Sequence, residues 1–375
     1  MPIEQIHDVA KDLSKYNVGW ALLKLWMCWE VVMVHAWNAW SYPGHATPPA
    51  LVLVRDFRDY AVPVFMLMTF FLAARHFAAN DGDWLKRRFV RLCLPFAFWS
   101  VLAFVTWRLL SPHFPAFATD PANGAFWKEG CAAAPEPVAF KYLLLQALGT
   151  TRTLGSQMWF QAVLVILTGF FAVFFRLVKP RVVVAGLVAL LVLGIMLDYS
   201  GLNFRLFGSF RYEVRNPLGR IFPMLPYAAL GLLAGGIAPA VDGFLSRHRW
   251  SMAALGAAVT AFLLKYDVFV SPPGFFYRGL KMLTVALALT TLFRALPLDR
   301  LPTALARGLV WASGYSMGVY FAHIYVGKLL EELVFPRVGL VPRSFSGGCV
   351  VFAVSFAVCW LVARVPNRHV RALVT

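Results

Sequence analysis

The chain has 375 residues, of which 60% are hydrophobic and only 14% are charged. The many long apolar runs exclude an ordinary water-soluble protein, and they lack the ~10-residue alternating segments of a membrane β-barrel. The formal net charge of +17 is scattered between the apolar runs, so it argues against a nucleic-acid partner and favours anionic lipid headgroups or a polyanionic ligand.

Apolar run length predicts an all-α polytopic membrane protein with about ten transmembrane helices. The predicted spans are residues 18–40, 60–79, 92–110, 157–175, 182–198, 221–238, 251–268, 279–296, 308–330 and 346–364. An even number of spans places both termini on one side, and the short basic segments 86–91 and 176–181 indicate that this side is the cytoplasm. We therefore expect a single membrane domain over residues 1–375, with cytoplasmic termini.

The segments between the spans carry few further signals. The two largest, 111–156 and 199–220, are expected on the outer side. The polar N-terminal segment carries acidic residues and is not expected to be a cleavable signal peptide, which leaves the first span as the insertion signal. Cysteines stand at positions 28, 93, 131, 349 and 359 without a CxxC pair or a His/Cys cluster, so neither a disulfide framework nor a metal site is expected.

The first span carries two ionisable residues, Lys24 and His35, that point the same way. At ~100° per residue, eleven positions return to nearly the same helix face, roughly 16 Å higher. Ionisable groups inside a membrane are costly and often functional, and neutral imidazole accepts protons near neutral pH. His35 is therefore a candidate general base, although a histidine that only hydrogen-bonds between helices also fits. Glu30 lies about 120° from that face, where we expect it to pack against or pair with a neighbouring helix.

Two further pairs of polar residues have a spacing of three, which places their members side by side on a helix. Arg88 and Arg91 stand where a cytoplasmic loop is expected to enter the third span. They are either an ordinary positive-inside anchor or a clamp for the phosphates of a pyrophosphate-bearing ligand. Tyr320 and His323 lie in the ninth span, where they form either a hydrogen-bonded interhelical pair or part of a polar cavity.

These residues resemble the pattern of the acyltransferase-3 family of bacterial integral-membrane O-acyltransferases. The family's first helix has a basic residue, usually arginine, then ten residues and a histidine; here these are Lys24 and His35. Its second span is similar to AVPVFMLMTF, with Thr69 and Phe70 in place of Ser-Gly. The other matching features are RxxR followed by Leu-x-x-Pro at Arg88, Arg91, Leu92 and Pro95, the pair Trp159-Phe160, the GR…LGLLAGG run and YSMGVYFAH.

The resemblance covers about residues 18–364 and implies a stand-alone membrane domain in the bacterial inner (cytoplasmic) membrane. It implies transfer of an acyl group, most often acetyl, from cytoplasmic acyl-CoA to a hydroxyl of a cell-envelope polysaccharide or lipid-linked sugar. Acetyl-CoA or another acyl-CoA is the expected co-substrate, and no metal is expected.

The same resemblance assigns roles to the residues singled out above. His35 would be catalytic, either as a general base or as a carrier of the acyl group, and the sequence leaves both routes open. Lys24 would hold the co-substrate or stabilise developing negative charge. Arg88 and Arg91 would bind the phosphates. The residues expected to line the substrate cavity are Glu30, Trp159, Tyr320 and His323.

Two other functions stay open at this point. A transporter or flippase for a lipid-linked or acidic solute fits ten spans with intramembrane charge, although no inverted repeat between the halves is evident. The second open function is that of a non-catalytic subunit in an envelope-polymer complex. Binding of acyl-CoA discriminates the enzyme from the transporter, and its loss with retained partner binding would favour the subunit.

Overall fold

The computed structural model of the chain describes residues 17–36, 57, 60–110, 158–199, 218–266, 279–340 and 344–375. Within these ranges the regular secondary structure is helical, with no strand. Most of the predicted outer segments 111–156 and 199–220 lies outside the described residues, as do Cys131 and the N-terminal segment.

Fourteen helices lie in the described residues. They are α1 (Val18–Ala36), α2 (Ala61–Ala78), α3 (Gly82–Leu110), α4 (Trp159–Leu177), α5 (Pro180–Tyr199), α6 (Leu218–Gly236), α7 (Ala238–Arg247), α8 (Arg249–Lys265), α9 (Leu280–Ala295), α10 (Thr303–Ser313), α11 (Ser316–Leu333), α12 (Phe335–Val338), α13 (Phe345–Ala363) and α14 (Arg368–Arg371), with a 3₁₀ turn at Leu298–Arg300. A helix satisfies its backbone hydrogen bonds within its own segment, which is why apolar runs in a membrane fold this way.

A helix lies at each of the ten predicted spans. Five of them, α1, α2, α4, α5 and α13, are long and apolar enough to cross a membrane by length and composition. By contrast, α8 and α9 have 17 and 16 residues, fewer than the roughly 20 that a crossing helix needs. The all-α membrane fold is thus confirmed, whereas ten spans and cytoplasmic termini stay predictions.

α3 is longer than the predicted third span. It begins at Gly82 rather than at residue 92, so Arg88 and Arg91 lie within a helix and not at the end of a loop. The early start has a local cause, because the Asp81 carboxylate accepts a hydrogen bond from the Trp84 backbone N–H at 2.8 Å. An acidic side chain in this position caps the first turn of a helix.

The predicted ninth span is two helices, α10 and α11, separated at Gly314 and Tyr315. On either side of this break, the Ser313 hydroxyl donates to the Val310 carbonyl at 2.8 Å and the Ser316 hydroxyl donates to the Ser313 carbonyl at 3.0 Å. Hydroxyls that bond back to the preceding turn bend helices, and apolar run length alone does not register such a bend.

α1 occupies the centre of the bundle, where it packs against α2, α9, α10, α11 and α13. The side chains of α1 that are completely buried are Leu23, Met27, Glu30, Val32 and Met33. Any polar group on the inner face of α1 therefore lies among other helices of the same chain.

α1 and α11 run in the same direction. The Cys28 thiol donates to the Ser316 carbonyl oxygen at 3.4 Å, and two turns further along both helices the rings of His35 and His323 are in contact. A parallel arrangement is what alternating spans predict for the first and the ninth. It brings two histidines that are far apart in the sequence to one place.

α6 packs closely on α2 through two glycines, Gly231 and Gly235, spaced four apart. A β-carbon at either position would overlap the backbone carbonyl oxygen of Leu67 or Phe71. Small residues at this spacing let two membrane helices approach until their backbones touch. The contact fixes α2, and with it the start of α3.

Candidate functional site

The predicted site residues gather at two places along α1. Lys24 and His35 lie on this regular helix, so their eleven positions correspond to a rise of roughly 16 Å at ~1.5 Å per residue. Lys24 is half-buried, and His35, in the last turn, is exposed. Arg88 and Arg91 belong with Lys24, and we name these three the basic cluster. His323 belongs with His35, and we name these two the histidine pair.

The histidine pair joins α1 to α11. The ring centroids of His35 and His323 are 5.2 Å apart, and the ring planes meet at 39°. His323 is buried, and its Nδ1 lies 3.2 Å from the Val319 carbonyl oxygen. Because a carbonyl oxygen only accepts, Nδ1 carries the proton in this contact. The other nitrogen, Nε2, is buried and has no hydrogen-bond partner among the described residues.

Aromatic rings extend the histidine pair toward α4. Tyr320 is buried one turn from His323, with its ring centroid 6.2 Å away, and it contacts the ring of Phe160 at 5.8 Å. Trp159 begins α4 and is half-buried beside Phe160, at 6.1 Å between centroids. Three of the four predicted cavity residues therefore lie in one contiguous set of rings that ends at His35.

The basic cluster joins α1 to α3. Lys24 and Arg91 are close enough for a direct Coulomb interaction, and so are Arg88 and Arg91. Within the described part of the chain, none of the three forms a salt bridge. Three like charges brought together in this way repel one another, so the cluster is an arrangement that a bound anion would stabilise.

Arg88 is held in place by residues of α2, α3 and α4. Its Nε donates to the Thr168 hydroxyl at 3.3 Å, and its guanidinium carbon lies 5.1 Å from the Trp84 ring centroid and 5.7 Å from that of Phe70. Cation–π contacts of this kind orient a guanidinium without neutralising it. Its Nη2 is buried and makes no hydrogen bond within the described ranges, which leaves a donor available.

The turn between α2 and α3 supports Trp84 from the other side. His76 stacks on Trp84 with ring centroids 4.5 Å apart and planes 4° apart, and its Nδ1 lies 3.1 Å from an Asp81 carboxylate oxygen. The hydrogen bonds from the Trp84 N–H and from His76 lower the pKa of Asp81. A small surface cleft opens beside this turn, lined by His76, Trp84 and Arg176 among others.

Glu30, the fourth predicted cavity residue, is completely buried on α1. Its Oε1 accepts a hydrogen bond from the Trp26 indole N–H at 2.8 Å. One partner of this carboxylate is therefore on the same helix, four residues earlier, rather than only on a neighbour as we expected from the sequence.

Sequence reasoning missed two residues that fix the basic cluster. Gln161 of α4 is buried and donates to the Leu92 carbonyl at 3.0 Å, and Thr168, two turns later on the same face, holds Arg88. Each is a polar residue inside an otherwise apolar run, and that pattern was visible in the sequence. What the sequence lacked was the antiparallel packing of α3 on α4 that gives both residues their partners.

The two places are suited to different chemistry. Positively charged donors that lack a carboxylate partner bind anions, and guanidinium groups do so best with phosphate. Paired imidazoles, one of them exposed, move a proton to or from a reacting group. Because both places lie on α1, a long ligand anchored at one end can present its other end to the histidine pair.

No curated protein and no solved structure matches the chain significantly. One family model, described as an acyltransferase domain, matches residues 17–364, which is nearly the whole chain. The match includes every residue of the basic cluster and the histidine pair, and it agrees with the resemblance drawn from the motifs. The chain belongs to the acyltransferase-3 family and is a membrane acyltransferase.

Proposed function

We propose that the protein moves an acyl group, acetyl in the simplest case, from cytoplasmic acyl-CoA to a hydroxyl of a cell-envelope polysaccharide or lipid-linked sugar. It works as a single domain of about ten spans in the bacterial inner membrane, with its termini in the cytoplasm. The observation that carries the proposal is the position of the basic cluster and the histidine pair at two levels of one helix.

The basic cluster supports acyl-CoA as the donor. Coenzyme A carries three phosphate groups, and these anions would relieve the mutual repulsion of Lys24, Arg88 and Arg91. The buried Nη2 of Arg88, which has no hydrogen-bond partner among the described residues, supplies a donor for a phosphate oxygen. The cluster includes the part of α3 that the sequence places at the cytoplasmic face.

The distance along α1 supports threading of the donor. The extended pantetheine arm of coenzyme A spans a distance comparable with the rise of roughly 16 Å between Lys24 and His35. With its phosphates at the basic cluster, the thioester reaches the level of the histidine pair. The acceptor hydroxyl then approaches from the outer side.

His35 is the residue we place at the reacting atoms. As the acceptor oxygen attacks the thioester carbonyl carbon, His35 takes the hydroxyl proton; a C–O bond forms and the C–S bond breaks. The proton then passes to the departing thiolate, which leaves as free CoA. In the covalent route, His35 first carries the acyl group itself and CoA leaves before the acceptor attacks.

His35→Ala tests this proposal. The full chain is purified into nanodiscs, and release of free CoA is followed with acetyl-CoA and with succinyl-CoA, with and without crude envelope glycan. Because a general base contributes about 10²- to 10⁴-fold, we expect the variant to lose turnover by at least that factor while still binding acetyl-CoA. Wild-type rates in the variant would overturn the assignment of His35.

His248→Ala is the matched control. His248 is an exposed histidine between α7 and α8 whose ring lies 4.7 Å from that of Phe244. Its removal should leave turnover unchanged. A wild-type protein that does not bind acetyl-CoA at all would contradict the enzyme and favour a transporter.

A further inference from the structure

His323 has one ring nitrogen that is buried without a hydrogen-bond partner among the described residues, and its ring lies beside that of His35. Its Nδ1 proton is committed to the Val319 carbonyl, so in the neutral ring Nε2 is a lone-pair acceptor. That atom is buried and has no hydrogen-bond partner among the described residues. An acceptor left without a partner in a helix interface costs stability, so a histidine that served only to join helices would be expected to use both nitrogens.

The ring of His35 is near enough to supply the missing donor. With centroids 5.2 Å apart, one nitrogen of each ring can approach to hydrogen-bond distance, about 3 Å. His35 is exposed and His323 is buried. Because the proton of the His323 ring is on Nδ1, which faces the Val319 carbonyl, Nε2 is the nitrogen that can accept a hydrogen bond from His35.

We propose that His323 is a positioning residue for His35. Its Nε2 accepts a hydrogen bond from one ring nitrogen of His35, which leaves the other nitrogen of His35 directed at the acceptor hydroxyl. When His35 takes the hydroxyl proton, the same hydrogen bond stabilises the imidazolium, and no proton is transferred to His323. This inference rests on the proposed role of His35 and adds the group that fixes its tautomer, as the third member of a catalytic triad does.

Two substitutions of His323 separate positioning from packing. His323→Phe keeps an aromatic ring but removes the acceptor, whereas His323→Gln places an amide oxygen near the position of Nε2. We expect His323→Phe to lower kcat by about 10- to 100-fold, with the affinity for acetyl-CoA unchanged. His323→Gln should recover most of that loss.

A chemical readout does not depend on the acceptor. Diethyl pyrocarbonate modifies the unprotonated nitrogen of an accessible imidazole, and a hydrogen-bond acceptor on the opposite nitrogen raises the basicity of the ring. We expect the rate of His35 modification, followed by peptide mass spectrometry, to fall several-fold in His323→Phe and to return in His323→Gln. His248, which is also exposed, is the internal reference and should react equally in all variants.

The outcomes distinguish this inference from the proposed function. If His35→Ala is inactive but His323→Phe keeps full kcat and an unchanged modification rate at His35, the positioning role is overturned and the proposed function stands. If His323→Gln is as impaired as His323→Phe, the hydrogen bond is overturned. If His35→Ala is fully active, the catalytic role of His35 is overturned and the positioning role of His323 with it, whereas a wild-type protein that does not bind acetyl-CoA contradicts the proposed function itself.

Discussion

Gly318 of α11 lies directly against the backbone of Val374. A β-carbon at Gly318 would come within 2.8 Å of the Val374 Cα and closer still to its carbonyl oxygen. The neighbouring Leu373 carbonyl accepts a hydrogen bond from the Trp99 indole N–H at 3.0 Å, and Val374 is buried. Residues 373 and 374 are therefore held between α3 and α11, where the Leu373 carbonyl and both backbone N–H groups have hydrogen-bond partners, as a position within a helix bundle requires.

Gly318→Ala is expected to destabilise the protein because the added methyl group has no space. Overpacking of this kind lowers the free energy of unfolding by about 1–3 kcal/mol, because Leu373 and Val374 have to move away from Trp99. The measurement is thermal unfolding of the purified protein in detergent. The matched control is Gly308→Ala on α10, where a β-carbon would meet nothing within 4 Å; an equal loss in both variants would contradict the packing argument.

Arg88→Ala should weaken donor binding more than it affects the chemical step. Losing a charge-assisted hydrogen bond to phosphate costs about 1.5–3 kcal/mol, which raises the Kd for acetyl-CoA about 10- to 100-fold. Titration calorimetry in nanodiscs measures this directly. The Kd of Arg88→Lys for acetyl-CoA should lie between that of wild type and that of Arg88→Ala, because lysine keeps the charge but loses the planar fork of the guanidinium.

The control for the charge alone is Arg307→Ala. Arg307 is exposed on α10, outside the basic cluster. Its loss changes the net charge of the protein by the same amount, so its effect on acetyl-CoA binding should be small. If Arg307→Ala and Arg88→Ala weaken binding equally, the effect is one of general charge and the clamp is not supported.

Lys24 should tolerate arginine and not an apolar residue. Lys24→Met keeps the length of the side chain but removes the charge at the level of Arg91, and we expect acetyl-CoA binding to weaken about tenfold, or about 1.4 kcal/mol. Lys24→Arg should bind at least as tightly as wild type, since a guanidinium binds phosphate with two parallel hydrogen bonds. Tighter binding by Lys24→Met, through relief of repulsion with Arg91, would reverse our interpretation of the cluster.

Much of the fold was predictable because membrane helices are encoded by local composition. Every apolar run predicted from the sequence is helical in the structure, with one break in the ninth. That Lys24 and His35 share one face follows from helix geometry alone. The start of α3 was not predicted because it depends on the Asp81 cap, a single side-chain contact. The break before α11 depends on two serine hydroxyls, which leave average hydropathy almost unchanged.

The residues of the site could be predicted one by one from the sequence, but their contacts with one another could not. Tyr320 and His323 were chosen for their spacing on one helix, but only the parallel packing of α1 and α11 shows that His323 meets His35. In the same way, the RxxR spacing suggested a phosphate clamp, but the proximity of Lys24 to Arg91 comes from helix packing across the bundle. Contacts between distant segments carry no periodic signal in a single sequence.

Asp81 should make stability depend on pH in the acidic range. Its pKa is lowered in the folded protein, first by the hydrogen bond from the Trp84 backbone and then by that from His76. A group whose folded pKa lies below its unfolded value of about 3.9 adds stability that is fully present above the unfolded pKa. That stability is lost as the pH falls through the folded pKa.

Asp81→Asn tests this linkage. The amide keeps a weaker helix cap but cannot ionise, so we expect a lower Tm than wild type at pH 6 and a smaller difference between the two proteins as the pH falls below about 4. The measurement is thermal unfolding of both proteins between pH 3 and pH 7. Asp83→Asn, in the first turn of the same helix but not at the oxygen that accepts from Trp84, is the matched control; an equal effect of both substitutions would contradict the role of the cap. A constant Tm difference between Asp81→Asn and wild type across this range would mean that the carboxylate contributes through its shape and not its charge.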